Sequence, residues 1–464
     1  MTTLTLPRPV ARVRRVPGWW RDAIGMSVWT TALVVVGLWL HGSGAQDLSA
    51  GRGSMLTSLG RLSGLIAADL LLIQVFLMAR VPAVERTYGQ DELVRKHRVV
   101  GTWSFVLMLL HVALITLGYA ATARTGFTHE LWVVVSTLPG MLMATVATLS
   151  LVMVAMTSAR AARRRMRYET WHLLHLYAYL GVAFSIPHEL WTGADLNSSH
   201  LASTYWWGAY VLAAGAVLVN RVGRPLWYSL RHDVRVVSVE RESHDVVTVH
   251  MSGRGLDRLP VSAGQFFVWR FLNGRGWSRG NPYSLSAPPR ENRLQISVKE
   301  QGDGSRRLAH LRPGTRVLVE GPYGRLTEER RKHRHAAFLA CGIGITPLKA
   351  LLESMPYEHG HATLLHRVRS DEDAAFSDDL EQLARRRGVV VHHLVGPRIK
   401  ERASWLPAHA VQWDDAQALR SLLPHLRSSD VYVCGPQEWT DAVTAAATRA
   451  GLQPDQLHTE QFAW

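Results

Sequence analysis

Four histidines in the first half of the chain stand at spacings that suit metal chemistry. His97 and His111 lie fourteen residues apart in one apolar run, and His175 and His188 lie thirteen apart in another. An ionisable side chain inside a bilayer is costly and marks function. Along a helix, fourteen residues rise about 21 Å, which sets one histidine near each side of a hydrocarbon core. They also turn about 1400°, roughly 40° short of whole turns, so His97 and His111 share a face. Thirteen residues turn about 1300°, which puts His175 and His188 on different faces of a regular helix. Pro187, immediately before His188, could distort that last turn. His172 is a competing ligand on a neighbouring face. Two opposed imidazole pairs, one near each leaflet, are what two stacked haems with histidine axial ligands need.

The elements that must position these rings are six apolar runs, at 23–40, 55–79, 98–120, 132–157, 171–188 and 204–222. Each is near or above the roughly 18–20 residues that span a bilayer as helix. The first is too long for a signal-peptide core, and five more follow it. Trp19 and Trp20 sit where interfacial aromatics belong. Basic residues fix the orientation. Residues 1–22 hold five Arg, the next same-side loop holds Arg80, Arg86, Arg95, Lys96 and Arg98, and the third holds Arg160, Arg163, Arg164, Arg165 and Arg167. The alternate loops carry only Arg52 and Arg124. The expected placement is therefore the cell membrane, multi-pass, with both termini cytoplasmic. His97 and His175 then form the inner pair, and His111 and His188 the outer pair.

Composition narrows the field. Hydrophobic residues are 47% and charged residues 19%, which excludes intrinsic disorder. The two cysteines, Cys341 and Cys434, are too few for an iron–sulfur cluster, and no CxxCH occurs for a covalent c-type haem. The net charge is +15, but the cationic inner loops account for much of it, so nucleic-acid binding loses its support. No EF-hand loop is visible. A homo-oligomer is compatible with the sequence. The second run carries Arg61 near its outer end and Asp69 farther in. Arg61 either snorkels to the outer headgroups or lies near the outer haem, pairing with a propionate or the acceptor. Asp69 has no evident partner.

After Pro225 alternating β-type segments begin, among them 234–237 and 245–249, punctuated by Gly/Pro turns to about residue 330. From 336 onward short apolar strands (336–340, 362–366, 389–393, 431–434) alternate with helical stretches, which predicts a parallel sheet with crossover helices. Leu339-Ala340-Cys341-Gly342-Ile343-Gly344-Ile345-Thr346-Pro347 runs a strand into Gly-x-Gly and a helix from Thr346, with Pro347 suited to its first turn. Such a helix start stabilises an anionic phosphate, although the third Gly of the usual dinucleotide fingerprint is missing. Val431-Tyr432-Val433-Cys434-Gly435-Pro436 ends another strand of the same sheet. Ligands bind beyond the carboxyl ends of such strands, so Cys434 and Gly344 are expected to face one crevice.

The whole chain resembles the ferric reductase/NADPH oxidase superfamily, in bacterial form, over nearly all of 20–464. The four histidines carry the resemblance, together with the order of Asn281-Pro282-Tyr283-Ser284-Leu285-Ser286, Ile296-Ser297-Val298-Lys299, Gly302-Asp303-Gly304-Ser305, the Gly342 loop and Cys434-Gly435-Pro436. The resemblance implies a six-helix transmembrane bundle binding two b-type haems (1–225), an antiparallel β-barrel FAD domain (226–330) and an α/β Rossmann-like NAD(P)-binding domain (331–464). Tyr283 and Ser284 look like its flavin-contacting pair. Asn281 stands where an Arg usually meets the FAD pyrophosphate, and Arg279 is the candidate substitute. Gly302 and Ser305 resemble the second flavin phosphate motif. Gly342, Gly344, Thr346 and Pro347 resemble the pyridine-nucleotide loop, and Cys434 the cysteine beside the nicotinamide. Glu460 and Trp464 resemble the C-terminal acid and the flavin-stacking aromatic. Arg367 and Arg369, after the second nucleotide-domain strand, could fork a 2′-phosphate, which favours NADPH over NADH.

The implied activity is electron transfer from NAD(P)H through FAD and two haems b to an external acceptor. Ferric chelate is the first expectation and dioxygen the second. Some oxidases carry a second histidine one turn after the outer ligand, where this chain has Ile115. A relay subunit serving a partner protein is a third reading. A haem-free channel or sensor is a fourth, and the intact Gly-x-Gly and Cys-Gly-Pro segments speak against it.

Overall fold

The computed structural model describes residues 17–193, 195–196, 199–274, 276–277 and 279–461. Trp464, the expected flavin-stacking aromatic, lies outside the described residues. The chain forms two compact units, one of Val16–Val222 and one built from Gly223 onward.

The first unit is helical. Its main helices are α1 (Trp19–His41), α2 (Arg52–Leu77), α3 (Gln90–Ala123), α4 (Phe127–Thr137), α5 (Met141–Ser158), α6 (Tyr168–Thr192) and α7 (His200–Val217). Five described helices are long and apolar enough to cross a membrane: α1, α2, α3, α5 and the stretch beginning with α7. The expected fifth span, α6, is long enough at 25 residues but is not among them. It carries His172, His175, His188 and Glu189, and that polarity lowers its apolar character. The expected fourth run, 132–157, is divided. Helix α4 stops at Thr137 before Pro139, and Gly140 takes φ +80°, a left-handed turn that α5 follows.

Helices α2 and α3 pack through small residues. A Cβ at Gly53 would strike Thr122, and one at Gly118 would strike Thr57, so these glycines set how near the two backbones lie. Asp69, without an evident partner in the sequence, is buried and accepts a hydrogen bond from Tyr205 at 2.9 Å.

The second unit opens with α8 (Arg224–His232). Strands β1 (Arg235–Ser243), β2 (Val246–Ser252), β3 (Phe266–Phe271), β4 (Asn281–Ser284), β5 (Arg293–Lys299) and β6 (Val317–Tyr323) follow. They pair as two three-stranded antiparallel sheets, β1-β2-β5 and β4-β3-β6, around a core that includes Phe267, Trp269 and Ile296. Alternation of inward apolar and outward polar residues explains this, as along β3, where Phe267, Trp269 and Phe271 are the buried positions.

Beyond them, β7 (His335–Cys341), α9 (Ile345–Ser354), β8 (Ala362–Val368), α10 (Ser377–Arg387), β9 (Val390–Val395), α11 (Asp415–Leu422), β10 (Ser429–Gly435), α12 (Gln437–Arg449) and β11 (Leu457–Gln461) complete the chain. The sheet order is β11-β10-β7-β8-β9, all parallel. Continuous apolar strands such as Ala336–Ala340 are what a sheet covered on both faces demands.

Candidate functional site

In the helical unit the four histidines meet as two pairs between α3 and α6. The rings of His97 and His175 have centroids 6.0 Å apart, and those of His111 and His188 lie 6.3 Å apart. The helix runs through Pro187 and both pairs still form, despite the offset that a regular helix imposes on residues 175 and 188. Pro187 has no N–H to give the carbonyl of Ala183, which loosens that turn. His172 is exposed, and the ring that stands 6.0 Å from His97 is that of His175.

Each imidazole is braced at Nδ1. His97 meets the Gln74 carbonyl at 3.4 Å and His111 the Gly60 carbonyl at 2.8 Å. His175 meets Ser158 Oγ at 3.2 Å and His188 meets Thr192 Oγ1 at 2.7 Å. Among the described residues no Nε2 of the four takes a hydrogen bond. This is the state a ligating imidazole needs, with one nitrogen held by a neighbour and the other bare. An imidazole nitrogen bonds a metal at about 2 Å and the ring centre lies about 1 Å beyond it, so rings on opposite sides of one ion have centres about 6 Å apart. Both pairs match that separation, and the residues fit the axial ligation of two haems. Gly64 belongs to the same arrangement, because a Cβ there would collide with Nδ1 of His111.

Arg61 lies one residue from Gly60, at the level of the His111–His188 pair. Its guanidinium donates to Asp195 from Nε at 2.6 Å, pairs with Asp47 at 3.0 Å and also touches Ser43. It is therefore neither a snorkelling side chain nor a free cation, since two carboxylates hold it. Neither partner was evident from the sequence.

In the second unit the Gly342–Gly344 turn and Cys434-Gly435 come together at the carboxyl ends of β7 and β10. Gly342-Ile343-Gly344 makes a tight turn with Gly342 at φ +53°, and α9 starts at Ile345. A Cβ at Gly344 would collide with the Cys434 carbonyl, so only glycine lets the turn seat against Cys434-Gly435. Thr346 is buried and its hydroxyl donates to the Ile343 carbonyl, closing the first turn, with Pro347 following it inside the helix. Cys434 pairs in register with Glu460 across β10 and β11. Its thiol is fully buried, and burial, with Glu460 and Cys341 nearby, pushes its pKa well above the usual thiol range. Cys341 is raised to about 11, chiefly by burial. Neither is a thiolate at neutral pH. Pro436, exposed, precedes α12.

His366 belongs to no sequence motif. It is fully buried on β8, and Nε2 donates to the Gly342 carbonyl at 3.3 Å. Burial lowers its pKa to about 4, so it stays neutral and steadies the glycine turn. The expected phosphate fork does not form as a pair. Arg367 is buried, and its guanidinium donates to the carbonyls of Leu394, Gly396 and Pro397 at 3.2, 2.8 and 2.9 Å. It braces the loop after β9 because buried carbonyls there need donors. Arg369 is exposed and makes no hydrogen bond or ion pair among the described residues.

The flavin motif divides similarly. Ser284 is buried and its hydroxyl has no hydrogen-bond partner among the described residues, a costly state that a ligand would relieve. The Tyr283 hydroxyl is pushed up to about 12 by burial, and its carbonyl accepts from Trp269 Nε1 at 2.9 Å. Pro282 and Asn281 start β4. A cleft is lined by Arg279, Asn281, Gly304 and Arg307 between apolar Phe271 and Leu308. Arg279 thus stands beside Asn281, and Arg307 is a second cation that motif reading missed. Ser305 is already committed: it accepts from the N–H groups of Gln301 and Gly302, both at 3.0 Å, and donates to the Gly302 carbonyl. Lys299 pairs with Asp245 at 2.9 Å and Asp373 at 3.4 Å. Val298 lies in the sheet core, and buried Ser286 accepts from Ser297 at 2.9 Å.

Residues 63–186 match the family described as ferric reductase like transmembrane component, 233–327 the oxidoreductase FAD-binding domain and 338–445 the oxidoreductase NAD-binding domain. The chain is a ferric reductase/NADPH oxidase-like fusion. The first match contains His97, His111 and His175, and His188 follows two residues beyond it. Among curated proteins, the fusion is 30% identical over 243 residues to the 3-ketosteroid-9-alpha-monooxygenase ferredoxin reductase component of Mycolicibacterium smegmatis, covering 50% of this chain and 65% of that one. It is 27% identical over 239 residues to the carnitine monooxygenase reductase subunit of Escherichia coli, covering 50% and 68%. The fusion thus spans less than two thirds of the first relative's length. A solved structure of the flavohem-like FAD/NAD binding domain of nitric oxide dioxygenase from Vibrio cholerae superposes with TM-score 0.41 at 20% identity, over 50% of this chain and 99% of that one. The fusion is an oxidoreductase with flavin- and nicotinamide-nucleotide-binding domains.

Proposed function

We propose that the fusion carries electrons from cytoplasmic NAD(P)H through FAD and two b-type haems to a ferric chelate outside. The two facing imidazole pairs carry this reading, each with its Nε2 atoms free of hydrogen bonds and its ring centres at the separation that two ligands of one metal ion require. When bound, the flavin takes a hydride and the haems accept electrons singly, chemistry that the cofactors supply.

The chain's own residues hold and orient. His97 and His175 would grip the inner haem, and His111 and His188 the outer one. The α9 N-terminus and the Gly342–Gly344 turn offer backbone N–H groups to a dinucleotide phosphate. Cys434, its thiol protonated and Glu460 its neighbour, would lie beside the nicotinamide. Ser284 and Tyr283 would hold the flavin ring system. Arg279 and Arg307, flanking Asn281, take over the pyrophosphate contact that an Arg at 281 would make. Arg369 is the exposed cation left for a 2′-phosphate, which supports NADPH. The basic loops support a cytoplasmic nucleotide side.

Ferric iron is favoured over dioxygen because Arg61 is held by Asp47 and Asp195, and Ile115 packs where a second outer histidine would stand. A relay to a partner protein is the second reading. It is favoured by relatives that are themselves a component and a subunit of monooxygenases.

Anaerobic addition of NAD(P)H and FAD to purified protein is expected to give a reduced b-haem spectrum that ferric chelate reoxidises. A haem-free preparation with full transmembrane reductase activity overturns the reading. Superoxide release with no ferric reduction above that background makes dioxygen the acceptor, and turnover only with an added partner makes the fusion a relay.

A further inference from the structure

The four imidazoles are not braced alike. On α3 both lean on backbone carbonyls of α2, Gln74 and Gly60. On α6 both lean on hydroxyls, Ser158 of α5 and Thr192 of α6 itself. A carbonyl only accepts, so Nδ1 of His97 and of His111 carries the hydrogen. A hydroxyl gives and takes, so the tautomer there depends on where the hydroxyl sends its own hydrogen.

For Thr192 a second contact decides this. Its hydroxyl donates to the His188 carbonyl at 2.7 Å, so its lone pair receives Nδ1–H of His188, also at 2.7 Å. Nε2 of His188 is then necessarily the bare nitrogen. Within the His111–His188 pair both braces are short, 2.8 and 2.7 Å, whereas those of His97–His175 are 3.4 and 3.2 Å. Donating Nδ1–H makes an imidazole more basic at its other nitrogen, which favours the oxidised metal.

Resting on the haem reading above, we propose that Thr192 is a positioning residue that fixes the His188 tautomer and lowers the reduction potential of the haem held by His111 and His188. Ser158 makes a longer contact and exerts a weaker pull on the other haem.

The test uses full-length protein carrying Thr192→Val, which keeps the shape and removes the hydroxyl, and Thr192→Ser, which keeps the hydroxyl. Haem content, an anaerobic redox titration followed at the b-haem bands, and the low-spin ferric electron paramagnetic resonance spectrum are read for each. Thr192→Val is expected to raise one of the two midpoints and move one of the two resonance signals, or to release one haem. Thr192→Ser is expected to match the parent. A Thr192→Val protein with both haems, both midpoints and both signals unmoved overturns the proposal, as does a Thr192→Ser protein that behaves like Thr192→Val. A parent protein that binds no haem overturns the haem reading itself, a different result from haems whose potentials ignore residue 192.

Discussion

In the helical unit each of four imidazoles keeps one nitrogen without a hydrogen bond and commits the other to a brace. In the strand-built unit many polar side chains of the recognised motifs are already saturated by the protein. Ser305 closes its own turn, Lys299 joins two carboxylates, and Arg367 feeds four carbonyls. The difference reflects what each region must grip. A metal needs directed lone pairs, so the side chains themselves must arrive pre-oriented. A dinucleotide is held largely by backbone shape and N–H groups, so its motif residues mostly build the turn. A motif residue in the second unit is therefore as often a support for the site as a contact within it.

Glycine-to-alanine changes separate the two regions. Gly64→Ala pushes a methyl into Nδ1 of His111 and is expected to release one haem of two and abolish transmembrane transfer. Gly37→Ala, with nothing within 4 Å, leaves haem content intact. Two retained haems in Gly64→Ala would break the claim that α2 seats the His111–His188 pair. Gly344→Ala acts in the other unit. A methyl there displaces the turn from the Cys434 carbonyl, so kcat/KM with NAD(P)H is expected to fall about a hundredfold, a loss of ~3 kcal/mol of transition-state stabilisation. Dithionite should still reduce its haems normally, and a haem defect there would deny that the two regions are separable.

The next effect is on stability. His366 has a folded pKa of about 4 against 6.5 unfolded, so below 6.5 the unfolded chain binds a proton that the folded chain refuses. Its stability contribution is complete above pH 6.5 and is lost as pH falls from 6.5 to 4, by about 3 kcal/mol in all. Urea midpoints of the nucleotide-binding unit measured across that range should drop, and His366→Gln, which still donates to Gly342, should flatten the curve. An unchanged slope in His366→Gln assigns the acid sensitivity elsewhere. The smallest effect is on nucleotide choice. Arg369→Ala is expected to raise KM for NADPH about tenfold and leave NADH alone, the loss of one charge-assisted contact. Arg367→Ala should instead lower stability and affect both nucleotides equally. The reverse pattern would make Arg367 the phosphate ligand.

The histidine pairing is legible in the sequence because ligands at matched depth on two helices leave matched spacings. The parallel strands are legible because buried strands read as short apolar runs, and the Gly342 turn because a strand running into Gly-x-Gly has few other solutions. What escapes is long-range or depends on local departures. The regular-helix rule separates His175 from His188, yet the structure brings both to α3 across Pro187. Hydropathy reads 132–157 as one span, while Pro139 and Gly140 divide it. The Asp195 partner of Arg61 and the Tyr205 partner of Asp69 are set by packing between distant helices. His366 and Arg307 belong to no motif, and only the fold brings them to Gly342 and Asn281.

The account turns on iron held between α3 and α6, and counting haem per chain tests that most directly. The purified parent protein should carry two b-type haems per polypeptide, and His111→Leu should carry one. A parent without haem, or a His111→Leu protein whose haem content equals the parent's, contradicts the account.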